Sequence, residues 1–305
     1  MRLLPKTWIN GYLSGIDECN DMSDIVYLNG RLIKRSEALI SPDDRGFNFA
    51  DGIYEVIKYY RGVPFRYRDH LERLKRSLRE IRLDFDGCDQ LETVFGELIR
   101  RNNLTGEEAG VYLQITRGSH RRIHQFPKQV VPTVYANAFP FASDKDSQKN
   151  GIRVITAKDI RWSRCDIKSV ALLPNVLLFQ KAVEEGAGEV VFIRNGIVME
   201  ASHSSLMWIK NGFVCTHPSS NAVLPGITER VIMGICRDAG IAFTQEEITE
   251  AELKAMDEVF IAGTGSEVTP VVKVDETTIG DGLPGKLTKL IQDRFLELAY
   301  GAVRE

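Results

Sequence analysis

Residues 161–175, RWSRCDIKSVALLPN, contain Lys168, the residue on which the interpretation of the whole chain depends. A single lysine is usually a solvated surface charge. A lysine that forms a Schiff base needs desolvation or nearby positive charge to lower its pKa, and Arg161 and Arg164 lie close enough in the chain to contribute charge. Pro174 closes the segment at a position suited to the first turn of a helix. The segment alone does not decide whether Lys168 is a surface charge or a reactive amine.

Strand and helix patterns flank this segment on both sides. Asn-Gly pairs beginning at Asn29, Asn195 and Asn211 lie between apolar runs, and each predicts a β-hairpin because Asn-Gly tolerates the positive φ angles of a type I′ turn. The last two predict one antiparallel meander over residues 190–216. Apolar residues at helical spacing predict helices around 71–81, 175–185 and 287–298, one following residue 228, and one opened by a capping box at 249–252.

Length, charge and cysteine usage indicate an ordinary globular enzyme. The chain has 305 residues, which favours two domains. A formal net charge of −3 gives no reason to expect nucleic acid or an anionic membrane as a partner, and no apolar run reaches the length of a membrane span. The five scattered cysteines form no CxxC pair or Cys/His cluster, so we expect idle or buried thiols and no metal. The N-terminus lacks a signal-peptide core, and the expected compartment is the cytoplasm.

Two glycine-containing segments could bind a phosphate group. In residues 224–231, LPGITERV, Gly226 precedes a predicted helix whose exposed N–H groups and dipole would attract an anion, and Thr228 adds a hydroxyl. An ordinary helix cap explains the same letters equally well. In residues 261–271, IAGTGSEVTPV, the glycines on either side of Thr264 could bring the backbone close to a phosphate, although a plain glycine turn is the alternative.

Charged residues elsewhere could supply other parts of a site. Glu200 ends a predicted strand and could pair with a protonated pyridine nitrogen, or it could be a surface charge. Arg122 and His124 are two residues apart, so they would point to the same side of an extended segment. Two cationic donors on one side suit a carboxylate ligand, whereas a basic surface loop is the alternative.

Taken in order, seven segments resemble the fold-type IV, or class IV, pyridoxal-phosphate aminotransferases. They are DRGFNFADGIYEVIK, RDHLERL, QITRGSHRRIHQFP, DIRWSRCDIKS, GIVMEASHSS, VLPGITERV and AGTGSEVTPVV. The resemblance runs from about Val26 to the C-terminus and is closest to the D-amino-acid (D-alanine) aminotransferases. It implies a mixed α/β (α+β) fold: a small α/β domain at 25–140 with the substrate-carboxylate loop, a linker at 141–151, and a larger cofactor domain with a β pseudo-barrel at 152–305. Residues 1–24 would be an N-terminal extension.

The resemblance also implies how these residues would hold pyridoxal phosphate. Lys168 would be the Schiff-base lysine and the proton shuttle, and Glu200 would be the partner of the pyridine nitrogen. The remaining implied contacts are Arg73, Ile227, Thr228 and Thr264 with the phosphate, Gly263 through its backbone, and Leu224 against the ring.

Substrate contacts and assembly follow from the same resemblance. Tyr54, Arg122 and His124 would bind the substrate carboxylate, with Tyr112 beside them. In the family the Arg-x-His loop comes from the neighbouring subunit, so a homodimer with a shared site is implied.

The implied reaction is a ping-pong transfer of the amino group from a D-amino acid to 2-oxoglutarate. A branched-chain L-amino-acid aminotransferase, an aminodeoxychorismate lyase, an (R)-amine transaminase and a non-catalytic cofactor-binding protein remain alternatives. Two departures bear on the choice. Ala201 and Ser205 replace the family's usual Gly and Asn, and the Gly-Thr-Gly at 263–265 looks more like the branched-chain enzymes.

Overall fold

Two β-sheets organise residues 24–301, which are the residues that this computed structural model describes. The first sheet has six strands, in the spatial order β2-β1-β6-β5-β3-β4, and every neighbouring pair is antiparallel. Its strands are β1 (Ile25–Leu28), β2 (Arg31–Lys34), β3 (Gly52–Tyr60), β4 (Val63–Pro64), β5 (Glu108–Thr116) and β6 (Thr133–Pro140).

The second sheet has nine strands, in the order β12-β11-β10-β13-β14-β7-β8-β9, with β15 paired to β14. It is mixed, because β7 runs parallel to both β8 and β14, and β11 runs parallel to β12. Its strands are β7 (Ile152–Lys158), β8 (Glu189–Arg194), β9 (Ile197–Ala201), β10 (Ser205–Lys210), β11 (Phe213–Thr216), β12 (Phe243–Gln245), β13 (Glu258–Gly263), β14 (Glu267–Val274) and β15 (Thr277–Thr278).

Helices pack on both sheets, and the mixed α+β class predicted from the sequence is confirmed. The α-helices are α1 (Arg45–Phe49), α2 (Tyr67–Glu80), α3 (Leu91–Arg101), α4 (Lys145–Asn150), α5 (Leu173–Glu184), α6 (Ile227–Asp238), α7 (Glu250–Leu253) and α8 (Lys286–Gly301). Short 3₁₀ helices occur at Arg35–Glu37 and Asp86–Gln90. No helix within residues 24–301 is long and apolar enough to cross a membrane.

All three predicted Asn-Gly hairpins are confirmed. Asn29, Asn195 and Asn211 have φ angles of 47°, 54° and 54°, and the glycine after each also has a positive φ. The turns connect β1 to β2, β8 to β9, and β10 to β11. Positive φ at both central residues is the type I′ geometry that matches the twist of the flanking strands.

The single meander predicted over residues 190–216 is wrong. β9 lies at one edge of the large sheet, whereas β10 is hydrogen-bonded between β11 and β13. Residues 202–204 form a tight turn, in which the Ala201 amide donates to the Ser204 carbonyl at 2.9 Å, and the turn redirects the chain. Asn-Gly specifies a local hairpin, but the choice of a more distant strand partner depends on packing that local sequence does not encode.

The predicted helices occur with shifted ends. The helix expected at 175–185 is α5, which starts two residues earlier with Pro174 in its first turn, and the predicted capping box of α7 is present. Helices α1, α3 and α4 were not predicted. The last lies within residues 141–151, the predicted linker, which connects β6 to β7; the division into two domains there stays a prediction. The predicted extension at 1–24 lies outside the described residues, apart from its last one.

Each sheet buries one side against helices. In the first, Leu74 of α2 and Leu98 of α3 pack over strand residues such as Ile57, all at most 3% exposed. In the second, Ile232 of α6 and Phe295 of α8 belong to one buried cluster. This burial is what drives the amphipathic helices onto the sheets and fixes where their termini lie.

A buried polar network joins the two halves of the chain. The Glu267 carboxylate, 1% exposed, accepts from Lys58 Nζ at 2.8 Å, Tyr60 Oη at 2.6 Å and Gln148 Nε2 at 2.7 Å. Lys58 and Tyr60 belong to β3, whereas Glu267 begins β14 with a positive φ of 51°. The network therefore fixes the turn at 264–266 relative to the first sheet.

Candidate active site

One cleft collects the residues that the resemblance implies for the cofactor, together with Tyr54 from the implied substrate contacts. The predicted residues in its wall are Tyr54, Arg73, Lys168, Glu200, Leu224, Ile227, Thr228, Gly263 and Thr264. They come from segments more than 200 residues apart in the chain, which the fold brings to one place.

Lys168 is partly buried in the loop that follows β7. Its Nζ lies 4.3 Å from the centroid of the Tyr54 ring. The same two residues are joined through the backbone, because the Tyr54 amide donates to the Lys168 carbonyl at 3.0 Å. Ser169 forms a bridge with Ile53, so the lysine segment is attached to the start of β3. This attachment restricts where the amine can reach.

The arginines near Lys168 in the sequence are both ion-paired. Arg161 donates from Nη1 to Glu200 at 2.5 Å and from Nη2 to Asp159 at 3.0 Å. Arg164 donates to Asp166 at 2.9 Å. Neither arginine therefore presents an uncompensated positive charge to Lys168, as the sequence had suggested that they could.

Glu200 is buried at the end of β9. One carboxylate oxygen accepts from Arg161, and the other accepts from the Leu224 amide at 3.0 Å. Burial raises the pKa of Glu200, against the opposing effect of Arg161. Arg161 also lies 4.3 Å from the centroid of the Phe192 ring, which supports its guanidinium from one side. The carboxylate is thus held in one position at the cleft wall.

The first turn of α6 forms another part of the wall. Ile227 and Thr228 are buried there, and Gly226 is the N-cap with a φ of −71°. That angle suits any residue, so backbone conformation does not require a glycine here. Space is the reason for it, because a Cβ at Gly226 would lie 2.4 Å from Ser205 Oγ. A helix N-terminus leaves its first N–H groups without intrahelical partners, which suits it to an anion.

The turn after β13 is similarly close to its neighbours. A Cβ at Gly263 would lie 2.7 Å from Ser266 Oγ and 2.9 Å from Ser204 Oγ. Thr264 follows in the cleft wall. Two backbone segments thus approach the cleft without side chains filling it, which leaves space for a phosphate group.

Arg73 is held by a buried carboxylate. Its Nε and Nη2 donate to the two oxygens of Glu55 at 2.7 and 2.9 Å, and its Nη1 donates to the Pro225 carbonyl at 3.0 Å. His70 Nδ1 lies 2.8 Å from the same carboxylate. Burial opposes ionisation of Glu55, but Arg73 and His70 outweigh it and hold its pKa well below the usual range. Arg73 is thereby attached to the turn before α6.

Replacement of Arg73 by methionine is expected to destabilise the protein by about 3–5 kcal/mol, because Glu55 would stay buried without its bidentate partner. Urea unfolding of the cofactor-free protein measures this loss. The double variant Arg73→Met/Glu55→Gln should recover part of the stability, yet it should still bind inorganic phosphate more weakly than the wild type. Wild-type phosphate affinity in the double variant would contradict a phosphate contact by Arg73.

The remaining sequence-predicted residues lie outside the wall of this cleft. Tyr112 stacks on Tyr54 with ring centroids 5.8 Å apart. Arg122 and His124 are not on an extended strand, contrary to the sequence expectation, but both contact the Phe49 ring, at 5.0 and 5.5 Å from its centroid. The fold therefore brings Arg122 and His124 together without bringing them to Lys168 of the same chain.

Sequence reasoning missed several residues that shape the cleft. Glu55 and Lys58 are the two charged residues of β3, and that is a signal, because an acid buried in a strand requires a partner. Nothing in the sequence indicated that Arg161 pairs with Glu200, because the two residues are 39 positions apart in the chain. His203 also lines the cleft and was not singled out.

Comparisons with known proteins agree with this geometry. The family model described as amino-transferase class IV matches residues 52–274. A D-alanine aminotransferase of Bacillus licheniformis is 42% identical over 268 residues, which cover 88% of this chain and 94% of that protein. A D-alanine aminotransferase of Staphylococcus haemolyticus is 43% identical over 272 residues, covering 88% and 96%.

Solved structures show the same fold. The Escherichia coli branched-chain amino acid aminotransferase superposes with a TM-score of 0.85 at 27% identity, covering 92% of this chain and 96% of that one. A hypothetical aminotransferase from Mycobacterium tuberculosis in its PLP-bound form superposes with a TM-score of 0.80 at 18% identity, covering 91% and 99%.

Proposed function

Because this chain belongs to the class IV aminotransferases, which work with pyridoxal phosphate, we propose that it moves the amino group of a D-amino acid to 2-oxoglutarate. The observation that carries the proposal is a single cleft that holds an amine, Lys168, a buried carboxylate, Glu200, and an anion site at the start of α6. Two relatives named D-alanine aminotransferases, at 42% and 43% identity, support the D enantiomer.

The described residues fit the cofactor. The α6 N-terminus with Thr228, the turn at Thr264, and Arg73 would hold the phosphate, and Leu224 would pack on the ring. Glu200 would bind the pyridine nitrogen. When bound, pyridoxal phosphate supplies an electron sink for the charge left at the α-carbon of an amino acid.

The chain's own residues would control the proton. Lys168 is the amine that would hold the cofactor covalently, and its freed Nζ would then carry the proton away from the substrate α-carbon. Tyr54 limits where Nζ can lie, since the ring is 4.3 Å away. Arg161 keeps Glu200 in place, so that the carboxylate can hold a proton on the pyridine nitrogen.

We propose a homodimer in which Arg122 and His124 of one subunit bind the substrate carboxylate in the cleft of the other. Arg122 and His124 lie outside the wall of the cleft in their own subunit, which supports this arrangement. Exposed apolar side chains on the same half of the chain, Leu39 at 84%, Phe47 at 81% and Val131 at 82%, are suited to burial against a second copy.

We also propose that the protein works in the cytoplasm. The free, buried thiols of four of the five cysteines support a reducing compartment, since disulfides persist mainly in oxidising ones. The fifth, Cys19, lies outside the described residues.

Arg122→Ala is expected to raise the KM for D-alanine by about 10- to 100-fold while it changes kcat little, because it removes a charged contact with the substrate carboxylate. Steady-state kinetics at saturating 2-oxoglutarate measure the change. An unaltered KM would place the carboxylate contact elsewhere.

Mixed dimers test whether the site is shared. Lys168→Ala and Arg122→Ala subunits, mixed under conditions of subunit exchange, would form hybrids in which one site carries both lesions and the other carries neither. At low D-alanine the mixture should recover about a quarter of wild-type activity, since half of the dimers would be hybrids with one intact site. Absence of recovery despite demonstrated exchange would contradict a shared site.

A panel of D- and L-amino acids with 2-oxoglutarate tests the enantiomer. We expect D-alanine to be used and L-leucine and L-isoleucine to be poor. The second candidate is the reaction of a branched-chain L-amino-acid aminotransferase. It is supported by the structural similarity to such an enzyme and by the Gly-Thr-Gly turn at 263–265. A preference for L-leucine would select it instead.

A further inference from the structure

His203, on the turn between β9 and β10, is a charged feature of the cleft wall that the proposed chemistry leaves unused. Its side chain is 56% exposed, yet its ring is firmly oriented. Nδ1 donates to Ser202 Oγ at 2.9 Å and also lies 2.9 Å from an oxygen of Glu189, a carboxylate with no solvent exposure. The Phe179 ring meets the imidazole edge-on at 5.0 Å. The other Glu189 oxygen accepts from Ser202 Oγ and from the Val190 amide. Ser202 and Glu189 thus orient the ring from its Nδ1 side.

This arrangement favours an imidazolium. Partial desolvation and the charge of Lys168 lower the pKa of His203, but the adjacent Glu189 carboxylate outweighs them and raises the pKa above its ordinary value. Asn175 and Phe179 of the adjacent α5 add no charge: the amide of Asn175 donates to the Ser202 carbonyl at 2.7 Å. With Nδ1 facing Ser202 Oγ and Glu189, the Nε2–H is the donor left for a ligand, since no group among residues 24–301 bonds to Nε2.

The other basic side chains in the cleft wall are already committed. Arg73 is bound to Glu55, and Arg161 is bound to Glu200 and Asp159. Lys168 is the amine of the proposed reaction. Within the described part of the cleft, His203 is therefore the cation available to a second anionic group of a substrate.

We propose that His203, oriented by Glu189, binds the distal carboxylate of a dicarboxylic substrate, 2-oxoglutarate or the corresponding glutamate. The inference deepens the proposed function and rests on it for the reaction, but the binding itself does not require that function. Dicarboxylates would then be distinguished from D-alanine by one charge-assisted hydrogen bond.

Unreactive acids test the binding directly. Glutarate and butyrate differ by one carboxylate, and neither carries an amino or keto group. In calorimetry with the holoenzyme, wild type is expected to bind glutarate at least about tenfold more tightly than butyrate. His203→Gln should lose that advantage, and His203→Lys, which restores a cation, should keep part of it. Lys181→Gln is the matched control, because it removes an exposed positive charge from α5 outside the cleft wall.

The pH dependence and the kinetics give second readouts. The glutarate advantage should be full below the raised pKa of His203 and should fade as the pH rises through it. In turnover, His203→Gln should lower kcat/KM for D-glutamate by about tenfold and leave that for D-alanine unchanged.

A glutarate advantage that survives in His203→Gln, or that is absent from wild type, overturns the inference. Failure of D-alanine turnover with the glutarate result intact would instead overturn the proposed function.

Discussion

Lys168→Ala is expected to abolish transamination and the long-wavelength absorbance of the lysine-bound cofactor. The loss in kcat should be at least about 10⁴-fold, because the same amine would hold the cofactor and carry the α-proton. Steady-state assays with D-alanine and an absorbance scan of the purified protein measure the two effects. The fold should persist, since within residues 24–301 Nζ contacts the Tyr54 ring at 4.3 Å and makes no hydrogen bond or ion pair.

Lys168→Arg separates charge from chemistry. Arginine retains the cation over Tyr54 but stays protonated at neutral pH, so it should be as inactive as alanine while cofactor still binds through its phosphate. Lys181→Ala, which removes an exposed lysine, should behave as wild type. Activity or cofactor absorbance that persists in Lys168→Ala would remove the central claim.

Much of the fold was predictable from local sequence. The Asn-Gly hairpins and the capping box of α7 were found because each depends on backbone geometry that one or two residue types supply. Helix α1 was missed because it is five residues long, too short for an apolar period to emerge. The predicted pairing of β9 with β10 was wrong because strand pairing over distance follows from packing.

The candidate site was predictable only in part. Lys168 and Glu200 were identified through ordered motifs, since neither has a distinctive local environment in the sequence. The ion pair of Arg161 with Glu200 and the support of His203 by Glu189 were missed, because each joins residues that only the folded chain brings together. The ordered motifs thus predict candidate reacting groups more readily than the residues that orient them.

Glu200→Gln is expected to lower kcat by about 10²- to 10³-fold, because removal of the charge beside the pyridine nitrogen would weaken its protonation and with it the electron sink. Glutamine preserves size and can still accept the Leu224 amide, and Arg161 retains its ion pair with Asp159. The loss should therefore be kinetic rather than structural. Unfolding midpoints and kcat, measured on the same preparation, distinguish the two.

Glu229→Gln is the matched control for this charge. Glu229 is a neighbouring carboxyl on α6 outside the wall of the cleft, and burial raises its pKa to about 7. The raised pKa means that Glu229 carries less negative charge at neutral pH than an ordinary carboxylate, so neutralising it should change kcat by no more than about threefold. The absorbance of the bound cofactor should shift with pH in Glu200→Gln but keep its wild-type profile in Glu229→Gln. Equal effects of the two variants would mean that the general negative potential of this region, rather than a contact by Glu200, controls the pyridine nitrogen.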